Sequence, residues 1–530
     1  MRKVFCFYFL FLVYPVVSAN DGYPRYINTD VLHYEFGLTI NDSTNRIEGK
    51  SVIIIKILDK TDSVSFDLKG LNSEGKGMHV AGVLMDGEKV KWKHGEERLI
   101  VFLKKSAARY DTLEFVINYS GIPADGLIIS RNKYGDRTFF ADHWPDRAHN
   151  YLPCIDHPYD KASVDFIITA PDKYSVVANG VLVEESVMDG NLKFTHWSEI
   201  VPLPVKVMAF GVARFAVKSA GDVYNTTVWS WVFPQNRSEG FNDYSVAVRP
   251  LDFYIRIIGK YPYKKLANVQ SQTIYGGLEN AGTIFYSENS VTGLGKAERL
   301  IAHEIAHQWF GNCVTEADWY HVWLSEGFAT YLTSLYFESL EGAEILKSDM
   351  RSARARIIKD YLKNPRPVID TTITNLIDLL SVNSYQKGAW VLHMLRHDIG
   401  DKDFMEGLRL YYDRYFDSNA LSSDFQHVME EASGKDLSRF FQQWLYTAGH
   451  PELRIWHKTI KKTGTTEVFI EQEQDHLFEF SLELQIKDTS GKKNIEVAVK
   501  ERVTKITIPS LNDVKIVPDP DVNLLFRQID

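Results

Sequence analysis

Two histidines and a glutamate stand where they can serve one metal ion: His303-Glu304-Ile305-Ala306-His307. Residues four apart share a face of an α-helix, so both imidazoles can point at a single ion. Glu304 follows the first histidine directly and can reach a water on that ion without ligating it. A catalytic zinc site takes three protein ligands and keeps one position open. Glu326, in Trp323-Leu-Ser-Glu-Gly-Phe-Ala329, is the third candidate. It falls on what reads as a second helix, and a turn between two helices can bring it to the metal. The chemistry this set suits is hydrolysis by activated water, with one Zn2+ per chain.

A second constellation lies upstream, Gly276-Gly277-Leu278-Glu279-Asn280. Two glycines remove side chains where a backbone can approach an extended peptide. Such a segment can take substrate as an added strand, and Glu279 then presents a carboxylate near the first substrate residue. By itself a Gly-Gly pair followed by polar residues also reads as an ordinary loop.

The elements that must position these residues fall into three blocks. From residue 20 to about 217, short β-branched or alternating runs such as Ser51-Val-Ile-Ile-Ile-Lys-Ile57 and Thr112-Leu-Glu-Phe-Val-Ile-Asn118 are separated by Gly, Asp and Asn turns. This is an all-β domain. From 218 to 450 the period changes to 3.6, with helices expected over 243–259, 297–310, 325–339, 343–362, 383–397, 402–416, 422–432 and 436–447. Gly449-His450-Pro451 ends that block. From 451 to 530 alternation returns, as in Phe480-Ser-Leu-Glu-Leu-Gln-Ile486, enough for a small β-sandwich.

With 530 residues, 45% hydrophobic and 13% aromatic, the chain can bury several cores. Its net charge of −9, with both signs spread along it, argues against a nucleic-acid binder, which shows a basic face. Arg2 and Lys3 precede an apolar run from Val4 to Val17, and Val17-Ser18-Ala19 offers small residues. This reads as a signal peptide over 1–19, so a secreted or periplasmic protein is expected. No later stretch is long and apolar enough to span a bilayer, so no stable membrane span is expected once the leader is cut. Cys154 and Cys313 remain, and both are expected as buried thiols.

The spacing H-E-x-x-H-x18-E with Gly-Gly-Leu-Glu-Asn upstream resembles the aminopeptidase N and leukotriene hydrolase family of gluzincin metallopeptidases. His307-Gln-Trp-Phe-Gly-Asn-Cys-Val-Thr315 and Trp323-Leu-Ser-Glu-Gly-Phe-Ala329 are similar to its metal helices. Tyr385-Gln-Lys-Gly-Ala-Trp-Val-Leu-His-Met-Leu395 is similar to its catalytic-tyrosine helix, and Tyr151-Leu-Pro-Cys-Ile-Asp-His-Pro158 to its F-P-C-x-D-E-P segment. The resemblance implies a thermolysin-like α/β catalytic domain between the β domain and the sandwich. It implies a zinc aminopeptidase acting on peptides with a free amino terminus. His303, His307 and Glu326 would hold zinc, and Glu304 would be the general base. The Tyr385 hydroxyl would donate to the developing oxyanion. Glu279 would pair with the substrate's α-ammonium, with Gly276, Gly277 and Asn280 beside it.

The pattern is departed from in places. Leu278 replaces the usual Met of G-[AG]-M-E-N. Asp142 is the only acid near the position of the family's second amine anchor. His157 stands for a Glu, and His321 for a common Asp. The sequence ends before the large helical domain of long members. An open site that takes longer peptides as readily as dipeptides is therefore expected. Two other readings share the residues: an epoxide hydrolase on the same zinc, and an inactive member used as a binding scaffold.

Overall fold

The computed structural model describes residues 21–488, 491–509 and 514–529, so the expected leader over 1–19 lies outside the described residues. The amino-terminal block is all β, as expected. An eight-stranded sheet is organised on Thr29–Thr39, which pairs antiparallel with Ile47–Ile57 and parallel with Ala162–Pro171. Along Ile47–Ile57 every second side chain is buried, including Ile53, Ile55 and Ile57 at 0% exposure. A strand turns alternate residues to opposite faces. Each such isoleucine contributes about 1.5–3 kcal/mol over an exposed one.

The middle block opens on a five-stranded sheet in the order Ala216–Val223, Thr226–Val232, Lys265–Ser271, Thr283–Ser287, Gly277–Leu278. The parallel strand Lys265–Ser271 is buried along its whole length, as suits a strand covered on both faces. The short strand Gly277–Leu278 is antiparallel to Thr283–Ser287 and forms the edge of the sheet.

Helices follow the strands: α1 (Arg237–Tyr244), α2 (Val248–Ile257), α3 (Glu298–Ala306), α4 (Trp323–Glu341), α5 (Ala343–Tyr361), α6 (Gly388–Ile399), α7 (Asp401–Arg414), α8 (Ser422–Ser433) and α9 (Ser438–Leu445). Two expectations change. The helix expected over 243–259 is broken at Ser245–Ala247, so that Pro250 lies in the first turn of α2. There its missing N–H costs nothing, whereas in a helix interior it removes a hydrogen bond. The helix expected over 297–310 stops at Ala306, and the chain turns through Gln308 and Trp309.

The final block forms two sheets, one centred on Glu452–Ile460 and Thr465–Gln472, the other on Phe480–Asp488. Leu453, Val468 and Ile470 of the first, and Leu482, Leu484 and Val499 of the second, are all 0% exposed. The sandwich is tied to the helices. Arg354 on α5 pairs with Asp519 at 2.7 Å, and His393 on α6 lies 2.9 Å from the Val522 carbonyl. Among the described residues no helix is long and apolar enough to cross a membrane.

Candidate active site

α3 is held at its start by Glu298, which accepts from Arg249 of α2 at 2.8 Å and from the Tyr336 hydroxyl of α4 at 2.6 Å. Its far end presents His303 and His307, with α4 beside it carrying Glu326. The nitrogen Nε2 of His303 lies 3.2 Å from Nε2 of His307. Oε2 of Glu326 is 3.5 Å from the first and 3.4 Å from the second. Donors about 2.0–2.1 Å from a tetrahedral ion stand about 3.3–3.4 Å from one another. The triangle therefore fits zinc on geometry and on donor type. Among the described residues this is the only His/Cys/Asp/Glu group of that kind.

The His307 imidazole is oriented from behind. Nδ1 of His307 lies 3.0 Å from the Ser325 hydroxyl and 3.3 Å from the Phe310 carbonyl. Placing the proton on Nδ1 leaves Nε2 free to ligate. Burial disfavours charge on His307, yet Glu326, Glu279 and Glu304 together outweigh it and raise the imidazole to about 9. Burial likewise opposes an ionised Glu326, but His307 and His303 hold its carboxyl below the usual range.

Glu304 is 4% exposed. Burial lifts its carboxyl well above the ordinary range; His307 opposes that, and Glu279 and Glu326 add to it. The edge strand passes directly over this carboxylate. A Cβ on Gly277 would overlap Glu304 Oε1 and Cδ, so a side chain there would have to displace that carboxylate. Gly276 is different: a Cβ there would meet only Leu300 Cδ1, at 4.0 Å.

Glu279 is 5% exposed, and its Oε1 is buried without a hydrogen-bond partner among the described residues. Its carbonyl is clamped by the turn that follows α3: Gln308 donates at 2.9 Å and Asn312 at 2.7 Å. Gln308 also accepts from Gly282 N–H at 2.8 Å. Both side-chain amides lie within residues 307–315, where spacing alone assigns them no role. The side-chain amide of Asn280 is buried, with neither atom partnered.

Tyr385 enters from the turn Asn383–Lys387, which runs into α6. Its ring lies 6.0 Å from that of His303, nearly parallel at 11°. Burial, then Glu326, Glu279 and Glu304, push its hydroxyl well above the usual phenol range, so it remains a proton donor.

Asp142 is brought to the same neighbourhood but does not stand free for an amine. It is 0% exposed. One carboxylate oxygen takes the Arg147 guanidinium; the other accepts from the Thr273 hydroxyl at 2.9 Å and the Ile274 N–H at 3.2 Å. It thus fastens the segment leading into Gly276. The other departures also have local partners. His157 bonds Asp21 at 2.6 Å and stacks on Tyr23 at 4.7 Å. Nδ1 of His321 lies 2.7 Å from the Ser422 hydroxyl, and burial brings its imidazole down to about 4. Among the described residues Cys154 and Cys313 are free and buried.

Residues 31–205 match the Peptidase M1 N-terminal domain, and residues 243–444 match the Peptidase family M1 domain. A probable aminopeptidase 2 of Sulfurisphaera tokodaii is 26% identical over 427 residues, covering 76% of this chain and 52% of that protein. Human glutamyl aminopeptidase is 27% identical over 331 residues, covering 59% of this chain and 34% of the relative. The chain thus spans about half or less of the length of these relatives. Among solved structures, Legionella pneumophila aminopeptidase A in complex with aspartic acid superposes with a TM-score of 0.83 at 16% identity, covering 96% of this chain and 60% of that one. An M1 zinc metallopeptidase from Deinococcus radiodurans gives 0.67 at 24%, covering 80% and 95%. The two M1 domain matches, in the order and places where the β domain and the metal helices stand, make this chain a member of peptidase family M1.

Proposed function

We propose that this protein is a zinc aminopeptidase that removes the first residue of peptides with a free α-amino group. The observation that carries the reading is the buried, unpartnered Oε1 of Glu279 beside the donor triangle of His303, His307 and Glu326. A buried carboxylate without a partner is costly, and a substrate ammonium would satisfy it. Blocking that amine leaves Glu279 unpaired, so acylated peptides are rejected.

His303, His307 and Glu326 would hold the zinc, which supplies Lewis-acid polarisation of the scissile carbonyl and of the attacking water. The chain's own residues do the rest. Gly276, Gly277 and Leu278 offer an open sheet edge to the substrate backbone. The Asn280 amide lies beside it, and Asp142 secures the approach to this strand. Glu304 takes a proton from the attacking water and returns it to the leaving amine as general base and then acid. The Tyr385 hydroxyl donates to the oxygen that gains charge.

All the polar groups a hydrolase needs are assembled here, which a binding scaffold does not require. Export through the leader over 1–19 belongs to the same reading. A panel of aminoacyl-anilides, free and N-acetylated, with and without chelator, tests it. Release from the free forms only, lost on chelation, is the expected result. Equal cleavage of acetylated forms would overturn it, and amino-terminal sequencing of exported protein would check the cut after Ala19.

A further inference from the structure

A cleft of about 490 Å³ shares His303 and Tyr385 with the site and runs along α5, where Asp349, Ser352 and Arg356 line it. Residues three, four and seven apart face one side of a helix, so these belong to one wall. Thr333, Ser334 and Gln386 add hydroxyl and amide groups to its walls, and Leu300, Met350, Ala353 and Ala389 add apolar surface.

The basic groups around this cleft are not equivalent. Arg299 is spent: its guanidinium is 2.8 Å from Asp349 and lies over the Phe337 ring at 4.2 Å. Asp349 also accepts from Ser334 at 3.0 Å, which fixes that pair. Arg354 is turned to Asp519 and lies over the Trp390 ring. Arg356 lines the cleft and is exposed, and among the described residues no carboxylate lies within ion-pairing distance of it. Glu279 does not line this cleft. A peptide anchored there by its amine, with its scissile carbonyl at the metal ligands, sends its leaving portion into the space bounded by His303, Tyr385 and Arg356.

We propose that Arg356 binds the α-carboxylate of short peptides, so that the enzyme favours substrates with a free carboxyl terminus within reach of α5. The proposal rests on the aminopeptidase reading. A guanidinium suits a carboxylate through paired N–H donors. An open cleft alone gives no length optimum, whereas a fixed cation gives one. A carboxylate on an acidic side chain offers the same chemistry, and the test separates the two sources.

The experiment compares Leu-Gly-Gly, Leu-Gly-Gly-amide, Leu-Gly-Glu-amide and the series Leu-(Gly)n, in wild type, R356Q and R356K, with the amide as internal reference. Wild type is expected to prefer the free acid over the amide by about fivefold in KM at low salt, the range of an exposed charge pair. R356Q should bring that ratio to about one, and R356K should keep part of it. A gain for Leu-Gly-Glu-amide over Leu-Gly-Gly-amide that vanishes in R356Q would place the acidic side chain, not the terminus, on Arg356, and overturn the terminal assignment. No acid-to-amide preference in wild type, or a ratio unmoved in R356Q, would also overturn it. If wild type cleaves none of these peptides, the aminopeptidase reading itself falls; cleavage without acid preference leaves that reading standing and removes only this one.

Discussion

Gly327 and Gly388 meet backbone to backbone where α4 crosses α6. A Cβ on Gly388 would sit 3.0 Å from Gly327 Cα, and one on Gly327 would sit 2.9 Å from Gly388 Cα. Glu326 immediately precedes the first glycine, and Tyr385 lies one turn before the second. The contact therefore sets the distance between Glu326 and Tyr385, the proposed metal and oxyanion donors. Gly388→Ala is expected to push the helices apart, costing about 1–3 kcal/mol of stability by overpacking. Its kcat should fall by more than its KM rises if Tyr385 acts on developing charge as proposed. Wild-type kcat in a folded Gly388→Ala protein would show that the crossing does not position Tyr385.

Glu304 lies beside the donor triangle without belonging to it. Glu304→Gln should lower kcat by about a hundredfold or more, the usual worth of a general base. Zinc content by elemental analysis should stay at the wild-type level. Loss of zinc together with activity would assign Glu304 to holding the ion.

Glu279 is buried beside the site with Oε1 unpartnered. Glu279→Ala should cut kcat/KM on free peptides by about thirtyfold or more, as for loss of one partner of a buried charge pair. Activity on N-acetylated peptides should not fall with it, so discrimination against blocked substrates narrows. An unchanged ratio of free to acetylated rates would remove Glu279 from amine recognition.

Stability carries a pH signature far from the metal. Asp160 is buried in the amino-terminal domain, and burial lifts its carboxyl to about 8, against a single backbone donor at Val31. Below about pH 4 it is protonated in both folded and unfolded chains and has no effect. Between about 4 and 8 the unfolded chain releases the proton and the folded one keeps it, so stability falls as pH rises. Asp160→Asn keeps the shape and an acceptor for Val31. Its gain in Tm over wild type should grow from pH 5 to pH 8, and a constant difference across that range would count against a raised Asp160.

The metal triad was legible because helical periodicity and ligand chemistry fix His303 and His307 together, and Glu326 needed only a second helix. The β, helical and β blocks followed from a change of period. The sequence could not show why Gly277 differs from Gly276, since only the path of the edge strand over Glu304 separates them. It could not show Asp142 closed off by Arg147 and Thr273, because those partners are distant in the chain or share a loop of irregular shape. The early end of α3 was also hidden, because its apolar run continues past the point where the chain turns. The clamp of Gln308 and Asn312 on the Glu279 carbonyl depends on that turn.

The central claim is removal of single residues from a free amino terminus. Mass spectrometry of one unblocked peptide and its N-acetylated twin, each incubated with zinc-loaded protein, tests it most directly. The account predicts a ladder of products shortened one residue at a time from the amino end, and an intact acetylated twin. Internal fragments from both peptides would contradict it.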